Sequence, residues 1–323
     1  MPIYVDGKEV GYTIVKKDLK LPQVLSRTVT SLTADDLAGA TQIPRYAFEN
    51  CTSLASVELP DTITSIGANA FSNCSNMTTI NLPEDLDLID NRAFYDCSSL
   101  TTINLPEGLT IINSGTFRNC SSLTIINIPN SVTSIEGDAF YGCGGLTSVT
   151  IPNSVTSIGM SSFAYCSGLT SIILPENITE LPYRSFEYCS SLTTFNIPNS
   201  VTTIGDSALQ LCSALTSIII PSSVTSIGTS AFNGCTGLNT VIFQGQVPNI
   251  QNSAFRICNH VTKYDFRNCT IVPTLANTDS LDHANNCQII VPDALYDEWT
   301  QATNWVALTN VVWVKASEYT EEV

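Results

Sequence analysis

Ten cysteines recur at one fixed step, each twenty-three positions beyond the last: Cys51, Cys74, Cys97, Cys120, Cys143, Cys166, Cys189, Cys212, Cys235 and Cys258. A period kept without insertion over that length means a stack of equivalent units, each touching only its neighbours. The length of 323 residues would otherwise suggest two domains, and the periodicity points instead to one array. Other positions keep the same step. Three residues after each Cys stands an apolar residue, from Leu54 and Met77 to Val261. Six after comes Val57 through Val241, and eight after comes Leu59 through Phe243. A proline follows immediately, from Pro60 to Pro221. Three before each Cys stands Phe, from Phe48 to Phe186 and at Phe232 and Phe255, with Leu209 the one substitute.

The unit reads as a physical program. The segment L-x-x-I-x-L is a short strand whose alternate residues point inward. Proline ends it, having no N–H to give to a ladder. A second apolar pair, such as Val132 and Ile135, carries the chain across the coil. Gly67, Gly159, Gly205 and Gly228 mark a corner where a positive φ suits glycine. The next segment, such as Ala70–Cys74, is too short for a long helix and is expected to form one 3₁₀ or α turn with Ala and Phe inward.

The unit A-F-x-x-C-x-x-L-x-x-I-x-L-P-x-x-V-x-x-I-G closely resembles the treponemal-type, or BspA-like, leucine-rich repeat, over about residues 43–266. The resemblance implies an α/β repeat, a right-handed leucine-rich repeat solenoid of about ten 23-residue coils, of a kind displayed on bacterial or protist surfaces for adhesion. It carries no catalytic residues to transfer. The chain departs from the pattern at Gln244, where Pro is expected, and at Asp90, Asn113, Glu136, Pro182 and Gln251, where Gly is expected. Local irregularity is expected at those corners.

Residues 1–42 and 267–323 read as N- and C-terminal caps around a solenoid at 43–266, because terminal coils would otherwise expose core. The first cap carries an expected hairpin, with strands near Ile3–Val5 and Val10–Val15 around Asp6-Gly7. In the second, Ile289–Val291 echoes a repeat strand. Asp293 is expected to cap a helix over Ala294–Ala302 with Leu295 and Trp299 inward.

Charge narrows the function. Acidic residues number 29 against 13 basic, a net charge of −16. Such a chain lacks the basic face that phosphate backbones require, which argues against nucleic acid. No apolar run is long enough to insert in a membrane, and no secretory signal is evident at the N-terminus. Catalysis finds little support. His260 and His283 are the two histidines, and no nucleophile elbow, phosphate loop, H-E-x-x-H or dinucleotide motif occurs. Parallel stacking sets equivalent cysteines about 4.8 Å apart with parallel side chains, so the repeat cysteines are expected as buried thiols. Cys269 and Cys287 remain open between thiols and a disulfide. The acidic cluster from Glu84 to Asp96 lacks the spacing of a calcium loop. No metal or cofactor is expected.

Binding surfaces remain. Positions five and seven after each Cys form two solvent-facing columns on the sheet. The second column includes Asn81, Asn104, Asn127, Ile173, Asn196, Ile219 and Ile242, amide-rich early and apolar late. A lateral patch on the turn between Phe and Cys holds Tyr141, Tyr165, Tyr183 and Tyr188, with Arg184 and Glu187 beside them. These residues point to a non-catalytic recognition or adhesion scaffold for a protein or glycan ligand. Such a scaffold is extracellular or cell-surface by resemblance. A virion or tail-associated protein and an enzyme are the alternatives.

Overall fold

A computed structural model describes residues 29–246 and 249–320, together with the backbone of two strands nearer the N-terminus. Those strands, Pro2–Val5 and Lys8–Thr13, pair antiparallel as a hairpin. The expected turn residues Asp6 and Gly7 lie outside the described residues. The chain divides into two compact units, Met1–Ser167 and Gly168–Val323.

Both units are built from the same coil, and the fold is a leucine-rich repeat solenoid of about 12 turns. The content is sheet and turn rather than α/β. Among the described residues the only α-helix is Tyr296–Gln301. Each full coil carries a three- or four-residue strand, such as Thr79–Asn81, and a two-residue strand, such as Leu88–Ile89. Both pair parallel with their equivalents, Ser56↔Thr79 and Ile66↔Ile89 in the first unit, Ser217↔Thr240 and Ile227↔Ile250 in the second. The longer strands alternate exposed–buried–exposed, which puts residues six after each Cys inside. The coil at 192–199 forms no such strand; it holds Phe195 where the others hold Val or Ile, its ring edge-on to Phe186 at 5.0 Å.

The ladder runs past the strict repeat at both ends, which is why the turns outnumber the expected ten. Ser31–Leu32 pairs parallel with Ser56–Val57, across a step two positions longer than the repeat's. Lys263 then pairs with Gln288 at that same longer step, and Gln288 with Val312 at a step one position longer than the repeat's. In the C-terminal region a 3₁₀ turn at Asp293–Leu295 leads into the helix Tyr296–Gln301, which is shorter than the expected Ala294–Ala302. Trp299 is buried and Leu295 half-buried. Asp293 accepts a hydrogen bond from the Ser317 N–H at 3.0 Å instead of capping the helix.

The segment before each Cys is neither 3₁₀ nor α helix but a run of turns whose N–H groups split two ways. In the coil at 69–74, Ala70, Ser72 and Cys74 donate three residues back within the coil. Asn69, Phe71 and Asn73 donate to carbonyls of the next coil at 2.7–3.0 Å. The alternation requires a positive φ five residues and one residue before each Cys, as at Asn69 (56°) and Asn73 (64°). The corner glycines are a different case. Gly67 and Gly159 do not sit at positive φ; a Cβ on Gly159 would lie 2.3 Å from the Gly137 nitrogen, and one on Gly67 2.6 Å from that of Arg45. Close approach of successive coils selects glycine there. Of the five corners that lack glycine, Pro182 has no N–H to give and departs from the regular bonding, while the other four keep a bond to the preceding coil. Asp90, Glu136 and Gln251 each donate the same cross-coil N–H bond that Gly67 does, and Asn113 reaches the Ile89 carbonyl with its side-chain amide at 2.8 Å.

All twelve cysteines are buried thiols, none of them in a disulfide. Their placement explains why the repeat uses Cys rather than Ala. The thiol of Cys74 donates to the Phe48 carbonyl of the preceding coil at 3.2 Å. Cys97, Cys120, Cys143 and Cys166 repeat the bond to Phe71, Phe94, Phe117 and Phe140, at 3.0–3.2 Å. In the second unit Cys212, Cys235 and Cys258 do the same at 3.2–3.3 Å. The thiol thus fills a small apolar space and satisfies a second lone pair on a buried carbonyl. Burial pushes the thiols of Cys166 and Cys212 up to about 12. Since the thiolate is the reacting species, the repeat cysteines should resist a thiol reagent in the native protein and react together in denaturant. Rapid native labelling of several of them would contradict their burial.

Candidate binding surface

The two sheet columns face solvent as the alternation requires. In the first unit Asn81, Asn104 and Asn127 are exposed at the ends of strands Thr79–Asn81, Thr102–Asn104 and Ile125–Asn127. In the second, Ile173 is 62% exposed and Ile219 47%, while Ile242 is half-buried. Ile219 and Ile242 are register partners on adjacent strands. Asn196 is exposed but lies outside any strand.

The lateral residues divide between the units. In the first, Tyr141 and Tyr165 are in contact, ring centroids 5.0 Å apart. The Arg118 guanidinium lies over Tyr141 at 3.8 Å and also pairs with Asp138 at 3.0 Å. Cation, ring and ring form a short column. In the second, Arg184 lies over Tyr183 at 4.8 Å, and its Nε is 3.6 Å from Glu187 Oε2. Burial raises the Glu187 carboxyl while Arg184 opposes that shift. Tyr183 and Tyr188 are both exposed.

A further set went unrecognised in the sequence. The position one before each Cys, which needs positive φ, carries Asn50, Asn73, Asp96, Asn119 and Gly142 along the first unit. Asn, Asp and Gly are the residues that tolerate this conformation. From Tyr165 onward the column changes to Tyr188, Leu211, Gly234 and Ile257, with φ between 60° and 79°. Tyr188, Leu211 and Ile257 are exposed apolar side chains on one edge of the second unit. Leu211 reaches sideways into the space a side chain at Gly234 would need, its Cδ2 2.7 Å from that Cβ position. A β-branched residue such as Ile257 at φ 60° is a backbone outlier. The signal in the sequence was the loss of Asn from this one column.

Each of the two histidines lies against a backbone carbonyl through Nδ1. His260 Nδ1 is 2.6 Å from the Thr236 carbonyl, and His283 Nδ1 2.9 Å from that of Ala284. Cys269 donates to the Gly245 carbonyl at 3.3 Å, so it and Cys287 stand as separate thiols. Among the described residues no helix is long and apolar enough to cross a membrane.

The profile of the "BspA type Leucine rich repeat region" matches residues 28–147 and 133–262, in six copies. The chain belongs to the BspA-type leucine-rich repeat family. Among solved structures, a leucine-rich cell surface protein of Faecalibacterium prausnitzii A2-165 is 28% identical, with a TM-score of 0.54. That alignment covers 88% of this chain and 79% of the other. A leucine-rich repeat protein of Bacteroides ovatus ATCC 8483 is 24% identical with a TM-score of 0.61, over 85% and 88% of the two chains, and shares the fold. No curated protein matches the chain significantly. BspA-type repeats form a scaffold family, and its members resembling this chain include a cell-surface protein.

Proposed function

We propose that this BspA-type chain is a non-catalytic recognition scaffold, displayed outside the cell, that binds a protein through the exposed edge holding Tyr188, Leu211 and Ile257. The carrying observation is that bulky apolar residues occupy positive-φ positions where the first five coils use Asn, Asp or Gly. An L-residue in that conformation costs about 1–2 kcal/mol, which a purely structural position would shed. Tyrosine and arginine beside these residues suit a hot spot, since they bury large area at low entropy cost. The edge is a surface, not a hollow, which fits a protein partner better than a small molecule. The net charge of −16 steers association toward a neutral or basic partner. The cell-surface description of the Faecalibacterium neighbour supports the extracellular reading.

The test separates fold from function. Ile257→Asn relieves the backbone, so the variant should unfold at equal or higher temperature, gaining about 1 kcal/mol. The triple replacement Tyr188→Asn, Leu211→Asn, Ile257→Asn should lose binding to whichever extracellular protein the intact chain captures from a purified panel, by more than about tenfold. Retained binding in that triple variant, with loss on replacing Ile173 and Ile219 by Ser, would move the site to the sheet face.

A further inference from the structure

We propose that a hollow at the C-terminal end of the exposed sheet face binds an acidic saccharide, a sugar carrying a single carboxylate, with Lys263 as its counter-ion. The hollow measures about 680 Å³, within the range of small-ligand sites. Its floor is the outward face of the strands Thr240–Phe243, Lys263–Asp265 and Cys287–Val291, and its wall is the turn after Lys315 that brings Tyr319 back over the sheet. The lining is hydroxyls and amides, with Asn239, Thr262, Gln288 and Tyr319 prominent, so an apolar ligand is unsuited to it.

Three observations converge on an anion of one charge. First, the position five after each Cys is Ser, Thr or Ile from Ser56 to Thr240 and becomes Lys only at Lys263. Only two lysines, Lys263 and Lys315, occur from residue 29 onward in this acidic chain. Second, Lys263 makes no ion pair within 4.0 Å among the described residues. Its Nζ donates to the Tyr319 hydroxyl at 3.2 Å and lies 5.3 Å from the centroid of that ring. Arg267, its guanidinium 4.9 Å from the centroid of the same ring, is held by the buried carboxylate of Asp265. Among the described residues Lys263 is therefore the cation of the hollow without a carboxylate partner, while Glu318 on the rim disfavours a dianion such as phosphate. Third, the neutral groups are arranged to meet hydroxyls. The Asn239 carbonyl oxygen accepts from Thr240 at 3.2 Å and from Thr262 at 3.1 Å, which leaves its NH₂ to donate into the hollow. The Glu318 carboxylate and the Gln288 amide line the same hollow and supply acceptors. Donors and acceptors around one cation match a polyhydroxyl ring bearing a carboxylate.

The site is separate from the edge holding Tyr188, Leu211 and Ile257, so it stands or falls independently of the protein-binding reading. Titration calorimetry or protein-observed NMR on the full chain tests it with galacturonic acid and N-acetylneuraminic acid as probes, against galactose and inorganic phosphate. At least one of the two acids is expected to bind at millimolar concentration or below, with galactose at least tenfold weaker. Lys263→Ser installs the residue that the repeat uses at this position and so preserves the coil; it should abolish the preference for the acid over the neutral sugar. Equal affinity for galactose, tighter binding of phosphate, unchanged affinity in the Lys263→Ser variant, or no binding of either acid would overturn the proposal.

Discussion

Raising the pH through 9 and toward 10 should unfold this protein cooperatively, well before ordinary alkaline damage. The thiols of Cys97, Cys120, Cys143, Cys166, Cys212, Cys235 and Cys258 are all raised by burial above their ordinary value of 9.0. A group whose acidity is weakened on folding keeps its proton in the native state and loses it first in the unfolded chain. Its contribution is therefore complete below about pH 9 and disappears as the pH climbs from 9 toward the folded value. By about pH 10 each such thiol has lost on the order of 1 kcal/mol, and seven together on the order of 10 kcal/mol, comparable with the whole stability of a domain. Circular dichroism against pH gives the midpoint. Replacing Cys143 and Cys166 by Ala should lower stability at pH 7 but flatten its dependence on pH by two protons. A fold that persists beyond pH 11, or an alkaline midpoint indifferent to those replacements, would show that the thiols are not what sets the limit.

The second large effect belongs to the phenylalanine stack. Phe140 is fully buried between Phe117 at 5.5 Å and Phe163 at 5.1 Å, with interplanar angles of 11° and 17°. Phe140→Ala removes a ring from the middle of that stack and should cost about 3–5 kcal/mol. The chain itself supplies the control. Leu209 stands at the equivalent position and is also fully buried, so Phe140→Leu should cost less than about 1.5 kcal/mol. Because each coil is held only by its neighbours, damage at one coil lowers the melting of the coils on either side. Chemical denaturation of the two variants reads the difference. Equal midpoints for Phe140→Ala and the unaltered protein would refute the packing.

The coil was legible in the sequence wherever burial dictated it. Leu54, Val57 and Leu59 and their equivalents could be placed inward because alternation and a strict step leave no other arrangement. The thiol state of the repeat cysteines followed from ladder spacing alone. What could not be read was backbone conformation. Glycine at Gly67 and Gly159 signals either positive φ or close approach, and only the second applies. The two positive-φ residues in each turn are written mostly in Asn, Asp, Ser and Arg, which also suit plain exposed turns. For the same reason Leu211 and Ile257 read as ordinary surface residues until their φ values were seen. Ile289–Val291 was legible as an echo of a repeat strand, whereas the coils at Ser31 and Val312 escaped because their slightly longer steps break the periodicity while the pairing continues.

The split of N–H groups in the turn before each Cys has a mechanical consequence. Half of those bonds, like both strand ladders, run from one coil to the next, in the direction in which the coils are stacked. Tension applied along a stack of this kind loads such bonds a coil at a time rather than all at once. Each coil that lets go releases roughly 80 Å of slack chain. A chain of this kind pulled from its two ends would therefore yield in small, repeated extensions, one coil after another, while the remaining coils keep their fold.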